Sequence, residues 1–277
     1  MMFLKRKKDR QARKEWIRQM AESVPFWWHS IDLGEGITTR GFKTSDILNA
    51  EFQALTLPDL KRKTVLDIGA WDGFFSFEVE RLGASRVLAL DHYAWSLDLA
   101  AQVRYIQECK EKGVAPQPYH TLPELWHPHE LPGKQGFDTA HKTLGSHVES
   151  LVADFMDMDL DDIGVFDVVL YLGVLYHIEN PFEALKRVAK VTRELAIIET
   201  VAVVVPGFEH NAICEFFESN ELDGDISNWW APNLKALQSM CRAAGFRRIE
   251  TMVGPPDEAS LPKQEVSRYR ATIQAWK

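Results

Sequence analysis

The run Val65-Leu66-Asp67-Ile68-Gly69-Ala70-Trp71-Asp72-Gly73-Phe74-Phe75, followed by Val87-Leu88-Ala89-Leu90-Asp91, constrains this chain more than any other stretch. A short aliphatic and β-branched run reads as a strand buried on both faces. The two glycines let the backbone turn tightly beside a ligand, and Phe74, Phe75, Phe77, Val79 and Leu82 supply the apolar positions of a following helix. Asp91 then closes a second strand, where an acid can accept both hydroxyls of a ribose. The pattern predicts a nucleotide-cofactor site at the head of an α/β sheet.

Two kinds of cofactor use such a turn, and its charges separate them. A dinucleotide site brings helix amides onto a pyrophosphate through G-x-G-x-x-G. Here Asp67 precedes Gly69 by two residues and Asp72 lies inside the turn, so two carboxylates would repel a pyrophosphate. An acid at a strand end suits a cationic ligand, such as the amino group of a methionine moiety. The pattern resembles motif I of class I methyltransferases, D-x-G-x-G-x-G, and departs from it at the middle glycine, which is Trp71. The resemblance implies S-adenosylmethionine as cofactor, with Asp67, Gly69, Ala70, Trp71, Asp72 and Gly73 in the turn and Asp91 and His92 after the second strand.

At 277 residues the chain accommodates one full α/β domain and an appendage. Cys109, Cys214 and Cys241 fall outside any C-x-x-C spacing, which predicts neither a disulfide framework nor a structural zinc site and makes a reducing cytoplasm the simplest setting. No apolar run reaches the length of a membrane span, and the amino terminus opens with charges instead of a signal-peptide core. Residues 1–18 carry eight basic and two acidic side chains, a balance of +6 that leaves −14 on the remainder of a chain at −8. Such an arm can meet RNA or an anionic membrane surface, or remain a solvated helix end.

Trp16, Ile17 and Met20 mark a short helical stripe ended by Pro25, and 44–57 reads as a helix closed by Pro58. Residues 1–60 are therefore expected to cap a domain spanning 61–277, not to form one of their own. Strands are predicted near 64–68, 86–90, 148–153, 165–172, 194–201, 246–253 and 268–276, with helices near 73–82, 137–144, 182–191 and 233–244. The fold expected is a Rossmann-like, doubly wound seven-stranded sheet with an antiparallel carboxyl-terminal hairpin. An insertion around 95–136, with a helix at 95–110 and a Pro/His-rich loop at 116–136, should lie near the mouth of the site. Its histidines His120, His127 and His129, with His141 beyond, match no firm metal-ligand spacing, and no metal is expected.

Ligands of an open α/β sheet lie at the carboxyl ends of the strands. Asp154 and Phe155 after the third strand are placed to meet an adenine, and Leu172 after the fourth to approach the cofactor. Tyr176 and His177 then look toward the transferring group. His177 is the first candidate for a base, because an imidazole titrates near neutrality, with capping of backbone carbonyls as its structural alternative. His29, beside two tryptophans, is either a second base or a contact from cap to core. Trp28, Trp229 and Trp230 are candidate aromatic walls for an acceptor, or core packing.

Phe166-Asp167-Val168-Val169, Gly173-Val174-Leu175-Tyr176-His177, Pro181, Glu199-Thr200, Pro232-Asn233 and Ala244-Gly245-Phe246 together resemble the wobble-uridine tRNA carboxymethyltransferase family and its broader methyltransferase relatives. In the tRNA enzymes that tyrosine, a carboxyl-terminal strand arginine and an upstream lysine hold the extra carboxylate of carboxy-S-adenosylmethionine. Tyr176 matches the first and Arg270 the second. The upstream segment, Trp27-Trp28-His29-Ser30-Ile31-Asp32-Leu33-Gly34, offers no lysine and looks more like relatives that methylate small molecules or sugars. The expected function is S-adenosylmethionine-dependent O-methylation of a hydroxylated small molecule or saccharide. The alternatives are tRNA carboxymethyl transfer from carboxy-S-adenosylmethionine and a noncatalytic cofactor- or RNA-binding regulator.

Overall fold

The computed structural model describes residues 2–257 and 265–277, and the side chains of Lys5, Arg6, Lys7 and Lys8 in the basic arm lie outside what it describes. The chain runs α1 (Met2–Glu22), α2 (Ser45–Ala54), β1 (Thr64–Ile68), α3 (Phe74–Arg81), β2 (Arg86–Asp91), α4 (Tyr93–Ser96), α5 (Leu99–Lys112), α6 (Gln135–Leu144) and β3 (Glu149–Val152). It continues through β4 (Phe166–Leu172), α7 (Pro181–Val191), β5 (Thr192–Val204), β6 (Cys214–Phe216), β7 (Trp230–Pro232), α8 (Leu234–Ala243), β8 (Arg248–Val253) and β9 (Ser267–Trp276).

Seven strands form one sheet in the order β3-β2-β1-β4-β5-β9-β8. The first five are parallel, and β9 runs antiparallel between β5 and β8. Alternate residues of each inner strand face opposite layers. Leu66, Ile68, Leu88, Leu90, Val169 and Tyr171 pack with α7 and α8 residues such as Leu185 and Leu237. Val65, Val87, Ala89, Val168 and Leu170 pack on the other side with Phe74, Phe77 and Phe137. Covered on both faces, these strands read as the continuous apolar runs of a parallel sheet. The order reverses between β1 and β4, which puts the ligand crevice at their carboxyl ends.

The helix signals act locally as expected. Asn180 accepts from the Glu183 amide to cap α7, with Pro181 in its first turn, and Asn233 accepts from the Ala236 amide to cap α8. The predicted 95–110 helix is two: the chain breaks at Leu97, and Asp98 caps α5 by accepting from the Ala101 amide. β5 runs to Val204, beyond the predicted 201, because β9 pairs with it from Leu195↔Trp276 to Val204↔Ser267. The antiparallel pair β6–β7 was not expected. Three-residue strands carry too little periodicity to read, yet this pair sets the course of the segment 217–229.

Residues 17–60 contribute Ile17, Val24, Trp27, Ile31, Leu33, Leu48, Leu55 and Leu60 to the same apolar cluster as Val65 and Phe77. Buried Gln274 of β9 donates to the carbonyls of Leu55 (2.9 Å) and Thr56 (2.8 Å), tying the end of the cap to the sheet. Gln274→Leu should orphan both carbonyls and lower unfolding free energy by about 1–3 kcal/mol, measured by urea denaturation. Unchanged stability would mean that this tie contributes nothing.

Candidate active site

The turn between β1 and α3 is held by three left-handed residues: Gly69 (φ 79°), Trp71 (φ 51°) and Gly73 (φ 87°). A Cβ on Gly69 would stand 2.5 Å from Val174 Cγ2, and one on Gly73 would stand 2.6 Å from the Phe77 ring. Glycine is thus required at both for shape as well as for φ. Trp71 adopts the same region with a full side chain, at a cost of about 1–2 kcal/mol. Its surroundings hold it there. The Trp71 amide donates to Asp91 (2.9 Å), its carbonyl accepts from the Trp95 indole, and its ring stacks on Trp28 with centroids 4.4 Å apart. The ring therefore leaves the turn toward the cluster of Leu97, Leu99, Tyr119 and Leu125.

Two acids sit at the strand ends. Asp67 (2% exposed) accepts from the Ser76 hydroxyl at 2.6 Å, and Asp91 (6% exposed) accepts from the amides of Trp71 and Ala94. Burial raises both carboxyls to about 6, against those hydrogen bonds. The amides of His92 and Trp95 also favour the ionised form of Asp91, which sits in a ring of backbone donors at the end of β2. On the neighbouring loops, exposed Asp154 accepts from the Met156 amide (2.8 Å), and Phe155 packs on Tyr171. Half-buried His92 meets Trp126 edge-on, and half-buried Leu172 closes β4. Acid, glycine turn and flanking loops fit S-adenosylmethionine: Asp91 for its ribose, Asp67 for its ammonium side, Asp154 and Phe155 for its adenine.

Asp72 and His29 are brought together, with Asp72 turned toward the cap. One of its oxygens accepts from the amides of Trp28 and His29 (2.9 Å each) and the other pairs with His29 Nδ1, so this 2%-exposed carboxylate clamps the cap onto the turn. Of the two readings of His29, the cap-to-core contact is present: its ring is buried beside Phe74 and Phe75, with Nδ1 on Asp72. Trp28 is also largely engaged, stacked on Trp71 and on Phe42. Trp229 and Trp230 pack with Phe216 of β6, while the Trp229 amide donates to the Tyr176 carbonyl (2.8 Å) and the Trp230 indole to the Glu179 carbonyl (3.0 Å). They fasten 217–229 to the turn after β4.

That turn forms the far end of the crevice. Gly173 has φ 73°, and a Cβ there would meet Arg270 at 3.4 Å and Glu199 and Tyr176 at 3.8 Å. Arg270 of β9 lies over the Tyr176 ring at 4.9 Å, and Glu199 of β5 takes both its Nε and its Nη2 in a bidentate pair. His177 Nδ1 lies 3.0 Å from the Ser227 carbonyl and 3.0 Å from the Ser227 hydroxyl. Burial lowers the His177 imidazole below its ordinary value, while Asp225 pulls it upward. Asp225 accepts from the Tyr119 hydroxyl (3.0 Å) and the Ser227 amide (2.9 Å). Neither Asp225, Ser227 nor Tyr119 belongs to a motif. They meet across 106 residues, and no local pattern signals that.

The chain is similar to known proteins in sequence and in fold. The methyltransferase-domain family matches residues 134–198. The tRNA U34 carboxymethyltransferase of Pseudomonas savastanoi pv. phaseolicola is 28% identical over 198 residues, 69% of this chain and 47% of its own length. That of Shewanella loihica is 24% identical over 211 residues, 76% of this chain and 51% of its own. The chain spans about half the length of these relatives. Among solved structures, the N-terminal domain of EvdMO1 superposes with a TM-score of 0.59 at 18% identity, covering 95% of this chain and 96% of that one. The chain thus shares its fold with the EvdMO1 N-terminal domain and matches a methyltransferase domain over residues 134–198. Among the described residues, no helix is long and apolar enough to cross a membrane, and no cluster of three or more His, Cys, Asp or Glu is placed to hold a metal.

Asp91→Ala should weaken S-adenosylmethionine binding by about 1.5–3 kcal/mol in calorimetric titration. In the parent protein, affinity should be flat above pH 7 and fall as pH drops through about 6, where Asp91 gains its proton. An acid raised by burial makes the fold more stable, not less, as pH falls from about 6 toward its ordinary 3.8, so this loss would not reflect unfolding. Affinity unchanged at pH 5.5 would exclude an ionised Asp91 from the cofactor contact.

Proposed function

We propose that the chain transfers the methyl group of S-adenosylmethionine to a hydroxyl of a small acceptor of saccharide type, with His177 as the base. Methyl rather than carboxymethyl transfer is carried by one observation: both donors of the Arg270 fork used by Glu199 are committed to a carboxylate of the protein itself. A carboxylated cofactor would have to displace that bidentate partner to gain the same charge. When bound, S-adenosylmethionine supplies an activated methyl group, whose bond to oxygen forms as the carbon–sulfur bond breaks with the electron pair left on sulfur.

The protein's part is to hold the acceptor and move its proton. The proposal takes the Nδ1–H tautomer, in which His177 donates to the carbonyl or hydroxyl oxygen of Ser227. Nε2 then carries a lone pair. Because burial depresses the imidazole, it stays neutral at pH 7, able to take the hydroxyl proton and release it to solvent afterwards. Arg270, Glu199, Tyr176 and Asp225 around it present donors and acceptors to a polyhydroxylated molecule. The EvdMO1 N-terminal domain, crystallised in the presence of SAH and D-fucose, supports a sugar as the acceptor class.

A second reading, tRNA carboxymethyl transfer, is favoured by the carboxymethyltransferase relatives and by the Tyr176–Arg270 pair. Calorimetric titration of ligand-free protein with each cofactor separates the two. S-adenosylmethionine should bind at least about tenfold more tightly than its carboxylated form, and Glu199→Gln should narrow that gap. Preference for the carboxylated cofactor in the parent protein would overturn the proposal in favour of tRNA. His177→Gln should lower kcat on the methylated acceptor by about 10²–10⁴ while leaving cofactor affinity within twofold, as steady-state kinetics and titration would show.

A further inference from the structure

We propose that Asp225 is a positioning residue for His177, acting through Ser227, and that its hydrogen bond with Tyr119 latches two roof segments over the acceptor. The inference rests on the reading of His177 as base and adds residues that no motif singles out.

The segment 225–229 is wrapped around the turn at 176–177 by backbone contacts. The Trp229 amide donates to the Tyr176 carbonyl, and His177 Nδ1 meets the Ser227 carbonyl. Asp225 fixes the shape of that wrap from within: its Oδ1 accepts from the Ser227 amide, while the Asn228 side chain donates to the carbonyls of Asp225 (3.1 Å) and Leu222 (3.0 Å). The same Oδ1 accepts from Tyr119, which is fully buried in the insertion between β2 and β3. Ile226 packs into the apolar cluster around Tyr119 and Leu97, beside Trp71. Two segments far apart in the chain, one between β2 and β3 and one between β6 and β7, thus meet at one carboxylate.

The electrostatic consequence follows from this placement. When Nε2 takes a proton, the new charge spreads over the imidazole ring, and the Nδ1 side needs a negative counterpart. Ser227 supplies a dipole there, and Asp225 behind it supplies a full charge. The other charged or titratable groups around His177 are Tyr176 of its own turn and Arg270 of β9 with its partner Glu199 of β5, while Tyr93 and Tyr119 lie in the field of Asp225. Arg270 opposes protonation and is offset by Glu199. Asp225 is the group left to favour the imidazolium. The logic is that of a serine–histidine–aspartate triad with a backbone carbonyl interposed.

The test reads the histidine directly and needs no acceptor. The full chain with S-adenosylhomocysteine bound would carry ¹³Cε1-labelled histidine, and the His177 resonance would be assigned by its loss in His177→Gln. In Asp225→Asn the amide oxygen still accepts from Tyr119 and Ser227, so the contacts survive and the charge is gone. The His177 midpoint should then fall by about half a pH unit or more, and Asp225→Glu should restore most of it. Tyr119→Phe should leave the midpoint in place while raising amide hydrogen exchange in both 115–126 and 217–229 by about tenfold or more. An unmoved midpoint in Asp225→Asn would overturn the positioning role, and unchanged exchange in Tyr119→Phe would overturn the latch. Failure of the base reading shows elsewhere: His177→Gln would keep full turnover while the midpoint shift persisted.

Discussion

Most of the site hangs from the backbone of residues 69–73. Three of those five residues are left-handed, including a tryptophan, which is tolerable only where neighbours over-determine the conformation. The turn's groups then reach in different directions. The Trp71 amide holds Asp91 at the end of β2, its carbonyl holds the Trp95 indole in the insertion, and its ring reaches Trp28. Asp72 captures the amides of Trp28 and His29, which brings the cap down on the same point. The cofactor floor, one roof segment and the cap are therefore parts of a single hydrogen-bonded knot, and a change in φ at Trp71 would disturb all three.

How much of this is legible in the sequence depends on how far apart the partners lie. β1 is readable to the residue and β4 to within one, because strands buried on both faces leave uninterrupted apolar runs. The capped helices are readable too, since Asn180 and Asn233 act on amides three residues away. Direction is harder. Position within motif I put Asp72 in the cofactor turn, but its hold on the amides of Trp28 and His29 spans more than forty residues and leaves no local pattern. Asp225, Tyr119 and Ser227 carry no local signal at all, and the pairing of Glu199 with Arg270 spans 71 residues and two strands.

Charge at the acceptor end is nearly balanced among the groups that face it. Arg270 is matched by Glu199, and His177 is neutral by burial with Asp225 nearby. Under the function proposed above, such surroundings favour a neutral ligand with many hydroxyls over a polyanion, because it satisfies donors and acceptors together. The +6 balance of residues 1–18 is the one strongly cationic stretch, and α1 carries it. Arg10 there is already paired with Glu35, and Arg13 reaches the Thr143 carbonyl, so part of that charge is turned toward the protein's own surface.

The sheet and the turn after β4 form the floor of the crevice, and what covers it is built from loops. Loops accept insertion and substitution more readily than strands, so one floor can serve different acceptors under different roofs. Arg270 illustrates how little has to change. The same arginine over the same tyrosine can take a carboxylate from a ligand or from a neighbouring strand, but its Nε–Nη2 fork takes one bidentate partner at a time. Glu199 fills it here, so the preference proposed above for a methyl donor over a carboxymethyl donor follows from the pairing of two neighbouring strands.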